Sequence, residues 1–150
     1  MSAYDPEDAV VEQVFINALP ERVFAALTEP KELLAWWGDP GTYRCTGWTL
    51  DLRVGGRWRC EGTSQRGGAF HVEGEFLDVR PPSWLSYSWR PSWVEAPPTT
   101  VEIALTPQAG GTLVVWAHRG FRGHPRALAD HKGGLPTVIA WLRRFLEKEK

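Results

Sequence analysis

The chain has 150 residues, 43% of them hydrophobic and 23% charged, with a net charge of −1. That length suits one domain with a core of its own, and near-neutrality lacks the basic footprint of a nucleic-acid binder. No apolar run approaches the ~18 residues of a membrane span, and Met1 to Asp8 is polar and acidic, unlike a secretory leader, so no membrane segment is expected and the cytoplasm is the expected location.

In chain order, Ala9 to Ile16 reads as a strand. Pro20 opens a short helix at a position where its missing N–H costs nothing, with Val23, Phe24 and Leu27 on one face. Glu29-Pro30 breaks it and starts a second helix carrying Leu33, Leu34 and Trp37, which Gly38 and Pro40 end. Strands follow, set apart by turn residues: Tyr43 to Arg53, a tight turn at Gly55-Gly56, Arg57 to Thr63, a hairpin loop over Gln65 to Gly68, Ala69 to Val79, a turn at Pro81-Pro82, and Trp84 to Arg90. Glu95 to Pro98 is a loop. Thr100 to Thr106 and Thr112 to His118 form a last hairpin around Gly110-Gly111. Parity sets the faces: Trp58 and Cys60; Phe70, Val72 and Phe76; Leu85, Tyr87 and Trp89; Val101, Ile103 and Leu105; and Val114, Trp116 and His118 all fall on one side. Polar residues take the other, as in an antiparallel sheet with one wet face. Leu135, Val138, Ile139, Leu142, Phe145 and Leu146 have helical spacing and predict a closing amphipathic helix. Because Gly133-Gly134 is a poor helix interior, about 1 kcal/mol per Gly relative to Ala, the firm helix is expected to begin near Leu135 or Pro136. Gly123 to Gly134 would then be a softer hinge or lid; alternatively, the glycines let the helix approach the sheet closely.

The order predicts an α+β fold: about six to seven antiparallel strands, two short helices after the first strand and a long C-terminal helix, over residues 1–150 as one domain. The segment Val23 to Pro30, with Leu33 and Trp36-Trp37-Gly38, resembles the opening of homologues of the activator of heat-shock-protein ATPase. Asp51-Leu52-Arg53-Val54-Gly55-Gly56-Arg57-Trp58 is similar to that family's central motif. Gly74-Glu75-Phe76, Pro81-Pro82 with Leu85, Gly111-Thr112, and His131, Gly134 and Pro136 follow in the family's order. The resemblance runs from about Val10 to Leu146. It implies the START-like (SRPBCC, birch-pollen-allergen) helix-grip fold, a curved sheet wrapped around the last helix and an apolar cavity. One departure is Leu135, which stands where the family usually carries Trp at the cavity's helical wall.

Among the constellations, Gly55-Gly56 lacks the spacing of a phosphate loop, and Asp51, Arg53 and Arg57 read as a structural ion pair beside a turn. Cys45 and Cys60 form no C-x-x-C pair and read as reduced, buried thiols. His71, His118, His124 and His131 have no metal-ligand spacing, so no metal site and no cofactor are expected. His71 falls on the solvated sheet face. His118 shares the inner face; it is either a satisfied strand-end histidine or an acid–base group, with Tyr87 the other catalytic candidate. The nine Trp, six Phe and three Tyr either fill a sheet-rich core or line a pocket. The predicted cavity residues are Trp37, Trp58, Phe70, Phe76, Tyr87, Trp89, Trp116, His118, Leu135 and Ile139. A binding protein for a small lipophilic or aromatic molecule is the leading expectation. A polyketide cyclase/dehydrase-like enzyme comes second and a chaperone-activator-like interaction module third. Homodimerisation is left open.

Overall fold

The computed structural model describes residues 4–65 and 67–148. Its elements are β1 (Ala9–Ile16), α1 (Pro20–Thr28), α2 (Pro30–Trp36), β2 (Gly38–Asp39), β3 (Tyr43–Leu50), β4 (Arg57–Ser64), β5 (Ala69–Arg80), β6 (Trp84–Pro91), β7 (Thr99–Gln108), β8 (Gly111–Arg119) and α3 (Pro125–Glu147). The strands form one antiparallel sheet in the order β1-β8-β7-β6-β5-β4-β3-β2, curled around α3 as a helix grip. The sheet has eight strands rather than six or seven, because Gly38–Asp39 adds a two-residue edge to β3.

Proline at the first helical position starts α1, α2 and α3 alike. The two short helices are joined by polar bonds as well as packing. The Trp36 indole donates to the Ala26 carbonyl at 2.9 Å, and Arg22 pairs with Glu32 at 2.6 Å. Residues between β3 and β4 turn tightly. Gly55 has φ +82°, and a Cβ on Gly56 would lie 2.0 Å from the Asp51 carbonyl oxygen. This closes β3 at Leu50, three residues before the expected end at Arg53. Asp51 and Arg53 form the ion pair beside the turn at 2.7 Å, both more than half exposed. The hairpin loop expected over Gln65 to Gly68 includes Arg66, which lies outside the described residues; the Ser64 N–H donates to the Gly68 carbonyl across it.

The main correction concerns α3. It begins at Pro125, not near Leu135, and Gly133, Gly134 and Pro136 all lie inside a helix of 23 residues. Local propensity opposes this, but the first turns are fastened by side chains. Leu128 is buried, and the His131 ring packs on His118 and Phe121 at 4.6 and 4.8 Å between centroids. Pro136 leaves only the carbonyl of exposed Lys132 without its helical donor. Nor do the glycines bring helix and sheet together: a Cβ on either would meet nothing within 4 Å.

The backbone of α3 approaches β1, α1 and α2. Its second half is anchored by Leu142 and Leu146, both fully buried, whereas its first half stands away from the sheet over a hollow.

Candidate functional site

The space inside the curl is divided in two. Beneath α1 and α2, Leu27, Leu33, Trp58, Phe76, Leu85 and Tyr87 close on one another and leave about 20 Å³, room for roughly one water. Between the concave sheet and α3 lies a cavity of about 730 Å³. Its mouth is rimmed by exposed residues: Ser64, Gly68 and Ala69 of the β4–β5 hairpin, Trp93 after β6, and Asp130 of α3.

Aromatic rings make much of the wall. Trp37 is the hub, with Trp48, Trp116 and Trp89 at 5.3, 5.9 and 6.2 Å between centroids. Its indole N–H donates to the Tyr43 hydroxyl at 2.9 Å. Tyr43 in turn stands edge-on to Phe70 and to Trp141 of α3, linking β3, β5 and the helix around the hollow. Phe70 meets Trp93, which is 61% exposed at the mouth. The indole nitrogens of Trp48 and Trp89 are buried without an acceptor among the described residues, a cost that fits rings held by packing rather than by hydrogen bonds.

Two polar features sit in this apolar setting. At one end His118 is 4% exposed, with its Nε2 2.6 Å from Thr99 Oγ1 and its ring against Trp89, Phe121 and His131. Burial first, and the neighbouring His131 second, hold its imidazole well below the usual histidine range, so it is neutral near pH 7. The Nδ1 of His131 lies 2.9 Å from the Ala127 carbonyl. A carbonyl only accepts, so Nδ1 carries a proton and donates it to that carbonyl. The second feature is a pair of free thiols, Cys45 on β3 and Cys60 on β4, with their sulfurs 3.3 Å apart on the cavity wall. The contact with Cys45, then burial, pushes the Cys60 thiol far above its ordinary range.

Of the ten predicted cavity residues, Trp37, Phe70, Trp89, Trp116, His118 and Leu135 line the large cavity. Trp58, Phe76 and Tyr87 lie instead in the closed core under the short helices, with Trp37 and Trp89 bordering both spaces. Trp58 is held there by a 3.1 Å bond from its indole to the Ser88 carbonyl. Ile139 faces away, into a groove between α3 and β1 with Glu12, Val14 and Pro136. The catalytic candidates are thus separated: His118 reaches the cavity and Tyr87 does not. Sequence reasoning missed Tyr43, Trp48, His131 and Trp141. A signal existed for two of them, since His131 and Trp141 fall on the helical stripe of Leu128, Leu135, Val138 and Leu142 once the helix starts at Pro125. For β3 the signal is broken by a bulge between Cys45 and Gly47, which carries Trp48 and Leu50 onto the face of Tyr43 and Cys45 against simple alternation.

Solved structures share this architecture. The chain is similar to protein NE0264 from Nitrosomonas europaea, at TM-score 0.82 and 25% identity over 97% of this chain and 98% of that one. It is similar to protein MLL2253 from Mesorhizobium loti, at TM-score 0.74 and 27% identity over 95% and 98%. The AHSA1-like protein from Aeromonas hydrophila matches at TM-score 0.78 and 22% identity over 94% and 93%. No curated protein matches. Residues 17–147, from the turn before α1 to the end of α3, match one family model across the fold and the cavity wall, and the chain belongs to that family, described as Activator of Hsp90 ATPase homolog 1-like protein.

Proposed function

We propose that the protein binds one small hydrophobic or aromatic molecule in the cavity between the sheet and α3. The observation that supports this is the cavity itself. Nine Trp could have filled the inside of the curl, and beneath α1 and α2 the side chains do fill it; under α3 about 730 Å³ remains, in the size range of ligand pockets. Gly133 and Gly134 support the same reading. They cost helix stability, bring no element closer and keep side chains out of the hollow. The fold family includes ligand carriers, but fold alone does not assign the role. The cytoplasm is the compartment we assign, in keeping with two cysteines that form no C-x-x-C pair.

The test is titration of a naphthalene-based apolar probe, followed by Trp emission and native mass spectrometry, in wild type and Gly134→Leu. Wild type is expected to take up one probe molecule. The leucine, built into the hollow from a helical position that accepts a side chain, is expected to weaken binding by roughly tenfold or more, about 1.4 kcal/mol, without loss of thermal stability. A wild type that binds neither the probe nor a co-purified small molecule, or a folded Gly134→Leu that binds as wild type does, overturns the reading.

A further inference from the structure

We propose that the cavity selects aromatic cations, in chemical terms protonated aromatic amines, over carboxylates of the same shape, with the ammonium at the Asp130 end and the ring body among the Trp side chains. This rests on the cavity being a ligand site and names what it takes. The wall includes Trp37, Tyr43, Trp48, Phe70, Trp89 and Trp141, and the faces of such rings carry negative quadrupole charge that attracts cations, indole most strongly. Among the described lining residues the one carboxylate is Asp130, and no Lys or Arg joins it. Asp130 forms no ion pair among the described residues; Arg126 stands one turn earlier on α3 without reaching it. One residue on, His131 also lines the cavity, its ring held by the bond from Nδ1 to the Ala127 carbonyl.

An anion would find no Lys or Arg among the described lining residues. The Trp37 N–H is given to Tyr43, and the Trp48 and Trp89 nitrogens are buried without an acceptor among the described residues. A carboxylate in this cavity would lose its hydration and gain no Lys or Arg counter-charge, which is the unfavourable way to bury a charge. An ammonium would exchange hydration for ring faces and a carboxylate at the rim. A neutral aromatic alcohol should fall between the two.

Three probes of one shape decide this: 2-naphthylmethylammonium, 2-naphthalenemethanol and 2-naphthoate, titrated by calorimetry near pH 7 into wild type and Asp130→Asn. The ammonium is expected to bind roughly tenfold or more tighter than the carboxylate. Asp130→Asn should bring the ammonium toward the alcohol and leave the alcohol unchanged. Naphthoate binding as tightly as the ammonium overturns the charge selection while leaving the cavity a ligand site. An ammonium preference unchanged in Asp130→Asn overturns the assignment of the head group to that carboxylate. Failure of all three to bind removes the ligand site itself, and the selection with it.

Discussion

At the scale of single residues, His118 and Trp58 occupy environments that parity could aim at but not describe. Both alternate correctly onto the inner face, yet one ends beside the hollow and the other in the closed core, because α1 and α2 cover only part of the sheet. Trp58→Ala should therefore cost about 3–5 kcal/mol, the range for truncating a packed Trp, while leaving probe affinity per folded molecule nearly intact. Trp141→Ala should do the reverse, weakening the probe more than the fold. Chemical denaturation paired with probe titration separates the two, and equal effects on both quantities in both variants would contradict this division. His118 carries a pH signature. Its folded pKa is depressed, so the unfolded chain binds a proton more readily, and stability present above about pH 6.5 falls as the pH drops below it. One such group gives a slope of at most about 1.4 kcal/mol per pH unit. Denaturation curves on either side of pH 6.5 should show this loss in wild type and a smaller one in His118→Gln, which can still reach Thr99; equal losses would mean His118 is not the group responsible. Cys45, half-buried on the wall, should be alkylated before Cys60 by a small thiol reagent and shielded once an apolar probe is bound. Peptide mass mapping reads both, and an unshielded Cys45 would mean that the probe sits elsewhere.

At the scale of elements, legibility followed how far an element's fate was set by its own residues. β4 and β7 alternate cleanly, and their buried face is the one parity assigns. β3 does not, because the bulge between Cys45 and Gly47 adds a residue that no propensity announces, and Trp48 was lost to the reading with it. The first half of α3 was hidden for a different reason. Gly133, Gly134 and Pro136 argue locally against helix, and what overrides them is tertiary: Pro125 opening the helix, and Leu128 and His131 fastening it to Phe121 and His118. Because both glycines have helical neighbours and empty space where a Cβ would go, Gly133→Ala and Gly134→Ala should each stabilise the protein by roughly 0.4–1 kcal/mol. Gly74 is the contrasting case. A Cβ there would lie 1.9 Å from the Ser88 carbonyl oxygen and 2.6 Å from the Trp58 indole nitrogen, so Gly74→Ala should destabilise. Melting temperatures of the three variants check the pattern, and a destabilising Gly134→Ala would mean that the helix needs flexibility at that point.

At the scale of the whole molecule, the sheet grips α3 unevenly, and this bears on how a ligand enters. The second half of the helix is buried through Leu142 and Leu146 and tied to the start of the chain by Glu147, which accepts the Asn17 N–H at 3.0 Å. The first half hangs over the hollow on the His131 cluster and on a connection held from outside. There the Asp8 carbonyl accepts the N–H of both Gly120 and Phe121, and Asp8 Oδ1 accepts that of Arg122. The helix is thus fixed at two places with a glycine pair and a proline-freed carbonyl between them, over the cavity. Local opening takes the segment with the fewest buried contacts, which here is the turn around Lys132 to Gly134. In the free protein, amide exchange at residues 131–135 should be faster than at 141–146, and a bound apolar probe should slow the first group while leaving the second unchanged. Asp8→Ala, which removes one tie of the β8–α3 connection, should speed exchange in the first group further and raise the rate of probe entry. Protection of Lys132 to Gly134 equal to that of Leu142 in the free protein would make α3 a single rigid bar, and entry would then have to pass between Trp93 and the β4–β5 hairpin at the open rim.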